Sequence, residues 1–233
     1  MKYVIVGGTS GIGLAAAKAA VASGHEVVTA SRDPGKFSNA QAIGALPVTL
    51  DASNLVQCQA VFSELGPFDH LVVCASGASG AGNFRDLDLA DLRKGFEGKF
   101  WPQVNCAKAC LPAISGTGSI TFIGAISSRA MQPGTAGLAA INAALEAMIP
   151  VLASELRPLR VNAVVPGVVD TPWWSRLPVQ EKTKLFEQLA TKVPVGRVGT
   201  PDDLAQAIMF VTTNTFITGT VIDCDGGWKL KGA

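Results

Sequence analysis

Three glycines near the start of the chain carry a clear chemical signal. Gly7, Gly11 and Gly13 stand in YVIVGGTSGIG, directly after an apolar run and directly before an alanine-rich stretch. A strand that turns tightly into a helix needs residues without a Cβ at the turn, and the free N–H groups of the first helical turn then suit a pyrophosphate. Thr9, Ser10 and Ile12 lie among these glycines and are expected to line the same dinucleotide site. Nineteen residues beyond Gly13 the next apolar run ends in ASRDPG. A carboxylate at such a strand end accepts the adenosine ribose hydroxyls and selects NAD. Here Ser31 and Arg32 take that place, and a guanidinium pairs well with a phosphate. The expected cofactor is NADP rather than NAD. The plainer reading of Arg32 is a solvated strand-end charge beside Asp33.

The elements that must position this loop are legible in the same way. Apolar runs at KYVIVG, HEVVTAS, LPVTLD, DHLVVCAS, SITFIGA, RVNAVVPG and GTVIDCDGG are nearly continuous, as in parallel strands covered on both faces. Helical stretches are expected near residues 11–23, 53–65, 86–112, 136–156 and 201–213. That alternation implies an α/β fold, a doubly wound parallel sheet of Rossmann type, in a single domain over residues 1–233. Residues 170–199 break the rhythm with three prolines, two tryptophans and many charges. They are expected to form a lid-like insert in which Trp173, Trp174 and Phe186 close over a substrate or pack against another subunit.

Composition narrows the class. Hydrophobic residues make up 48% of the 233 residues and charged residues 16%, enough apolar material for a large core. The formal net charge is +1 with no basic or acidic block, which argues against nucleic acid or a charged membrane surface as partner. No stretch reads as long enough to span a bilayer, and MKYVIVGG is too short for a signal peptide. Cys58, Cys74, Cys106, Cys110 and Cys224 are odd in number and contain no Cys-x-x-Cys, so neither a disulfide framework nor a zinc site is expected. Cys106 and Cys110, four apart on one helix, read as core fillers. These features suggest a reduced, cytoplasmic protein acting on a small molecule. His25 and His70 fall at strand starts, on the far side from the expected site.

The chain resembles the short-chain dehydrogenase/reductase family from Met1 to about Leu230. The glycines match that family's Gly-x-x-x-Gly-x-Gly, and Asp51 is similar to the family residue that hydrogen-bonds adenine. LVVCASG stands where the family has Asn-Asn-Ala-Gly. There Ala75 matches, Ser76 follows it into the expected cofactor site, and Val73 and Cys74 replace the asparagines. RVNAVVPGVVDTP resembles the segment that meets the nicotinamide end of the cofactor, which implies that role for Pro166, Gly167, Val169 and Thr171. GRVGTPDDLAQAIMFV and ITGTVIDCDGG are similar to the closing helix and last strand. The resemblance also implies a homodimer or homotetramer.

Departures fall on the family's catalytic residues. Its tyrosine and lysine, four residues apart, correspond to Leu138 and Asn142, its serine to Ala125 and its asparagine to Lys99. The chain has one tyrosine, Tyr3 in the first strand, so no shift of register can supply another to that helix. Lysine and asparagine stand exchanged. Lys99 is therefore expected to hold the ribose or a substrate oxygen, with Asn142 hydrogen-bonding beside it. Ser127 and Ser128, just past the fifth strand, offer a hydroxyl in place of the missing serine, and Ser128 is the favoured one. Arg129 is a candidate grip for an anionic substrate. Plainer readings are a solvated helix-face lysine, an asparagine bonded to backbone and an exposed arginine. Two functions follow: an NADP-dependent oxidoreductase in which a cation polarises a carbonyl, or a catalytically inactive NADP-binding redox sensor or assembly subunit.

Overall fold

The computed structural model describes residues 1–77 and 79–230. Seven parallel strands form one sheet in the order β3-β2-β1-β4-β5-β6-β7. They are β1 (Lys2–Val6), β2 (Glu26–Ser31), β3 (Leu46–Thr49), β4 (Phe68–Val73), β5 (Ile114–Ile123), β6 (Arg160–Pro166) and β7 (Val221–Cys224). Side chains alternate between the faces of a strand, and here each face has its own core. Tyr3 and Ile5 of β1 point into one, Val4 and Val6 into the other. Both faces being dry explains why the strands read as unbroken apolar runs.

α1 (Gly11–Ala22) and α8 (Pro201–Thr213) cover the first face. Ala16, Ala17 and Ala20 let α1 approach Leu204 and Ile208 of α8 closely. α3 (Leu55–Leu65), α5 (Trp101–Ala109) and α6 (Ala136–Glu155) cover the second, through Cys58, Phe62, Cys106, Leu145 and Ile149. Asn54 starts α3 by accepting the Gln57 N–H at 3.0 Å.

Three features differ from the sequence expectations. The helix expected near 86–112 is α4 (Leu89–Gly95), a five-residue π-helical segment (Phe96–Phe100) and then α5. Between β2 and β3 lies a short helix, α2 (Phe37–Gln41), and inside the insert lies α7 (Val179–Ala190), which buries none of its residues. α2 is too short to show a period, whereas α7 carries an apolar stripe at helical spacing, Leu185, Phe186 and Leu189, that lies half-buried and reads in the sequence only as part of the insert. The expectation that no stretch could span a bilayer is corrected for α6. Its 20 residues are long and apolar enough by length and composition, but one face lies against the protein through Ile141, Leu145 and Ile149.

Two buried polar groups hold the sheet together at opposite ends. At the C-terminal end, Gln103 of α5 donates to the carbonyls of Ala75 (3.3 Å) and Ile123 (3.0 Å) and accepts the Ile123 N–H at 3.2 Å. At the other end His70 bonds Ser119 Oγ through Nδ1 at 2.8 Å and stacks near Tyr3, while Arg160 caps α8 by donating to Val211 O and Thr212 O.

Replacing Gln103 by Leu strands two carbonyls and an amide, and we expect a loss of about 3 kcal/mol in stability, at about 1–3 kcal/mol per buried unpaired group. Denaturant unfolding checks this; a loss below about 1 kcal/mol would mean the strand ends are held otherwise. Burial, with Arg160 adding to it, lowers the His70 pKa to about 4 from the ordinary 6.5. The unfolded chain therefore takes up this proton first as pH falls. Stability from this group is complete above pH 6.5 and is lost down to about pH 4, by about 3 kcal/mol at most. His70→Gln is expected to flatten that limb when unfolding midpoints at pH 7 and pH 4.5 are compared.

Candidate active-site cleft

Strand order reverses between β1 and β4, so the connections leaving their C-terminal ends diverge to opposite faces and open a crevice. A cleft of about 750 Å³ lies there. The β1–α1 turn forms one wall. Gly7 and Gly11 adopt φ of +78° and +52°, and a Cβ on Gly13 would stand 2.3 Å from the Gly7 carbonyl oxygen. Only glycine closes this turn. α1 begins with no side-chain cap from Ser10 and no acidic residue in its first turn, so its N–H groups remain open to an anion. Thr9, Ser10 and Ile12 line the cleft with these glycines. Asn39 of α2 pins the loop by donating to Thr9 O at 3.1 Å.

Ser31, Arg32 and Asp51 lie together at one end. Asp33 is turned back into its own loop, accepting the Gly35 N–H at 3.0 Å and pairing with Lys36 at 3.4 Å. Ser31 Oγ accepts the Asp33 N–H at 3.2 Å. Asp51 Oδ1 accepts from the Ser53 hydroxyl (2.7 Å) and amide (3.0 Å), which lowers its pKa. Across the cleft Pro166, Gly167, Val169 and Thr171 leave β6, and a Cβ on Gly11 would stand 3.5 Å from the Thr171 Cβ. Ala75 and Ser76 line the floor beyond β4.

Lys99 and Asn142 come to the same wall from different elements. The π-helical segment carries Lys99 inward, where it is only 8% exposed and donates from Nζ to Gly124 O at 2.9 Å. Such segments recur at functional sites because the extra residue re-aims one side chain. Burial pulls the Lys99 pKa down to about 8, with Glu146 and Cys74 opposing. Asn142 Nδ2 donates to Leu138 O at 2.8 Å and Ser127 Oγ at 3.0 Å. Its Oδ1 is buried with no hydrogen-bond partner among the described residues, an acceptor that a ligand hydroxyl would satisfy. Leu138 and Ala125 line the cleft as apolar wall.

Two expected residues are placed otherwise. Ser128 faces away from the cleft and donates to Glu146 Oε1 at 2.6 Å and Ala125 O at 3.2 Å; the 3₁₀ turn over Ile126–Ser128 rotates Ser127 to the wall instead. Arg129 is no open grip for an anion. It pairs with Asp223 at 2.5 Å and Glu146 at 3.3 Å. Trp173 and Trp174 line the cleft at a 3₁₀ turn (Pro172–Arg176), which Trp174 ties down by donating to Val169 O at 3.0 Å. Phe186 stands behind, against Trp174. Tyr3, His25 and His70 cluster at the opposite end of the sheet. Cys58 and Cys106 sit in the core with sulfurs 4.0 Å apart and Cys110 is buried near them. Cys74 alone of these reaches the cleft wall, its thiol pushed up to about 12 by burial. No cluster of metal-ligating side chains occurs among the described residues.

Gln103 and Glu146 were missed in the sequence. Glu146 stands one helical turn after Asn142, a spacing that places both on one face, but nothing local tells a buried acid from a solvated one. The arrangement combines a Cβ-free anion cradle with a buried cation and a vacant hydrogen-bond acceptor. It suits a phosphate-bearing ligand with free hydroxyls.

Comparison with known proteins agrees over nearly the whole length. A family model described as enoyl-(acyl carrier protein) reductase matches residues 6–229. Carbonyl reductase family member 4 of Danio rerio is 30% identical, over 97% of each chain. A crystal structure of a small-chain dehydrogenase in complex with NADPH has 35% identity and a TM-score of 0.87 over 99% of each chain. An NADPH-bound short chain oxidoreductase from Pseudomonas aeruginosa PAO1, described as containing an atypical catalytic center, has 25% identity and a TM-score of 0.89 over 97% of this chain and 95% of its own. With the switch-point cleft, the glycine turn and these matches in agreement, the chain belongs to the short-chain dehydrogenase/reductase family of oxidoreductases.

Proposed function

We propose that the protein is an NADP(H)-dependent oxidoreductase that interconverts a carbonyl and an alcohol through a lysine-centred site. The observation that carries this reading is the pairing of a buried Lys99, held on Gly124 O, with the unpartnered Asn142 Oδ1 in the cleft of the glycine turn. NADPH complexes of two related structures support the cofactor. Arg32 supports the 2′-phosphate form, because Asp33 is engaged with Gly35 and Lys36. On this reading Gly7, Gly11 and Gly13 with the α1 N-terminus hold the pyrophosphate. Asn142 Oδ1 accepts a ribose hydroxyl.

NADPH supplies the hydride when bound. As the carbonyl π pair moves onto oxygen, the Lys99 ammonium stabilises that charge and passes it a proton. A pKa near 8 suits a general acid at neutral pH. Asn142 holds Ser127 Oγ through Nδ2, and Ser127, rather than Ser128, offers its hydroxyl to the substrate. Residues 170–199 act as the lid, with Trp173 and Trp174 excluding water. Exposed Trp101 on α5 and Val151 on α6 fit burial in a homodimer or homotetramer, a state that light scattering reads directly.

Arg32→Ala is expected to weaken NADPH binding about tenfold or more while leaving NADH binding unchanged, from the loss of a charged hydrogen bond worth about 1.5–3 kcal/mol. Fluorescence titration checks it, and equal loss for both cofactors would remove the NADP assignment. Lys99→Met is expected to lower NADPH oxidation with a ketone and aldehyde panel by about 100-fold or more, with NADPH affinity kept. Wild-type protein that binds NADPH but turns over nothing in a broad panel would instead be an inactive NADP-binding protein.

A further inference from the structure

Glu146 has no part in the chemistry described above, yet it is placed beside that chemistry. Its side chain is 13% exposed. Ser128 Oγ donates to Oε1 at 2.6 Å and Arg129 Nη2 pairs with Oε2 at 3.3 Å. On its other side is Gly124, whose carbonyl holds the Lys99 ammonium at 2.9 Å. A Cβ on Gly124 would stand 3.5 Å from Glu146 Oε1 and only 2.9 Å from Val165 Cγ2. Val165 is what requires a glycine at 124, and Glu146 Oε1 lies within van der Waals reach of the same backbone on which Lys99 rests. Charges then alternate outward: Lys99, Glu146, Arg129, Asp223 and Lys229.

We propose that Glu146 is a positioning residue: it is the counter-charge that keeps Lys99 protonated in the dry end of the cleft, with Ser128 and Arg129 fixing the carboxylate. A buried ammonium without a nearby anion gives up its proton rather than bear the cost of desolvation. Among the described residues, Glu146 from α6 and Cys74 from the end of β4 are the titratable groups whose charge acts on Lys99. The Cys74 thiol stays neutral over the working pH range, because burial holds its pKa near 12. That leaves Glu146 as the anion: burial raises its pKa, and the Ser128 hydroxyl, Arg129 and Lys99 oppose this by favouring the charged form, while Asp223 occupies Arg129 in turn. This explains the lysine–asparagine exchange at the level of charge. A lysine on the π-helical segment needs an acid across the wall, and the face of α6 that carries Asn142 supplies it one turn later. The consequence for turnover rests on the role of Lys99 proposed above.

The test is the proton affinity of Lys99 in the cofactor-free protein, read from the pH dependence of its ¹³Cε resonance and assigned with Lys99→Met. Glu146→Gln is expected to lower that affinity at least tenfold, and Glu146→Asp to recover part of it. Arg129→Gln, which frees Glu146 from its competing cation, is expected to raise it. If Glu146→Gln fails to fold, the partial fall in Glu146→Asp carries the test, and an affinity unchanged there overturns the proposal. An affinity unchanged in folded Glu146→Gln, or unchanged in Arg129→Gln, overturns the proposal. The rate arm separates it from the reading on which it rests. In Glu146→Gln the alkaline fall in NADPH oxidation should begin at a correspondingly lower pH. A shifted affinity with an unshifted rate profile keeps the hold of Glu146 on Lys99 and removes Lys99 from the proton transfer.

Discussion

The Lys99 ammonium rests 2.9 Å from the carbonyl oxygen of Gly124 and is almost out of contact with water. A cation so placed is costly unless acceptors and an anion are arranged about it, and much of the cleft's far wall answers that need. The π-helical segment delivers the side chain. Gly124 leaves room for Val165, Glu146 stands beside it, and Ser128 and Arg129 hold the carboxylate still. Asn142, one turn before Glu146 on α6, uses both donors on Leu138 O and Ser127 Oγ, which leaves its buried oxygen without a hydrogen-bond partner among the described residues.

That wall is possible because the strand connections around it are packed backbone to backbone. A Cβ on Gly137 would meet Gly80 O at 2.4 Å, and one on Gly95 would meet both Ser79 O and Ile141 Cδ1 at 2.7 Å. The loop after β4 thus lies directly on the start of α6 and on the residue before the π-helical segment. Gln103 ties the same helix to the ends of β4 and β5. Moving any one of these elements would move Lys99, so the position of the charge and the packing of the loops are one constraint.

Much of this was legible in the sequence where the signal is local. Gly7, Gly11 and Gly13 announced a turn that only glycine can make, and the apolar runs announced seven strands, because both depend on neighbours within a few residues. Lys99 and Asn142 were found by their exchanged positions. Ser128 was chosen over Ser127 because spacing does not say how a 3₁₀ turn rotates its hydroxyls. Arg129 read as open because its partner Asp223 lies 94 residues further on. α2 was missed because five residues are too few to show a period; α7 was missed although Leu185, Phe186 and Leu189 mark one helical face, because the prolines and charges around it read as a loop.

The sequence by itself determined the doubly wound sheet, the glycine turn and the absence of a tyrosine from α6. These follow from chain-local sterics, the alternation of side chains along strands and composition. Only the tertiary structure decided that Lys99 is buried rather than solvated, that Asn142 Oδ1 is buried without a hydrogen-bond partner among the described residues and that Glu146 is brought beside Gly124. Those facts depend on which groups from distant segments share a volume without water, and burial of a charge is a property of that shared volume rather than of any residue in it.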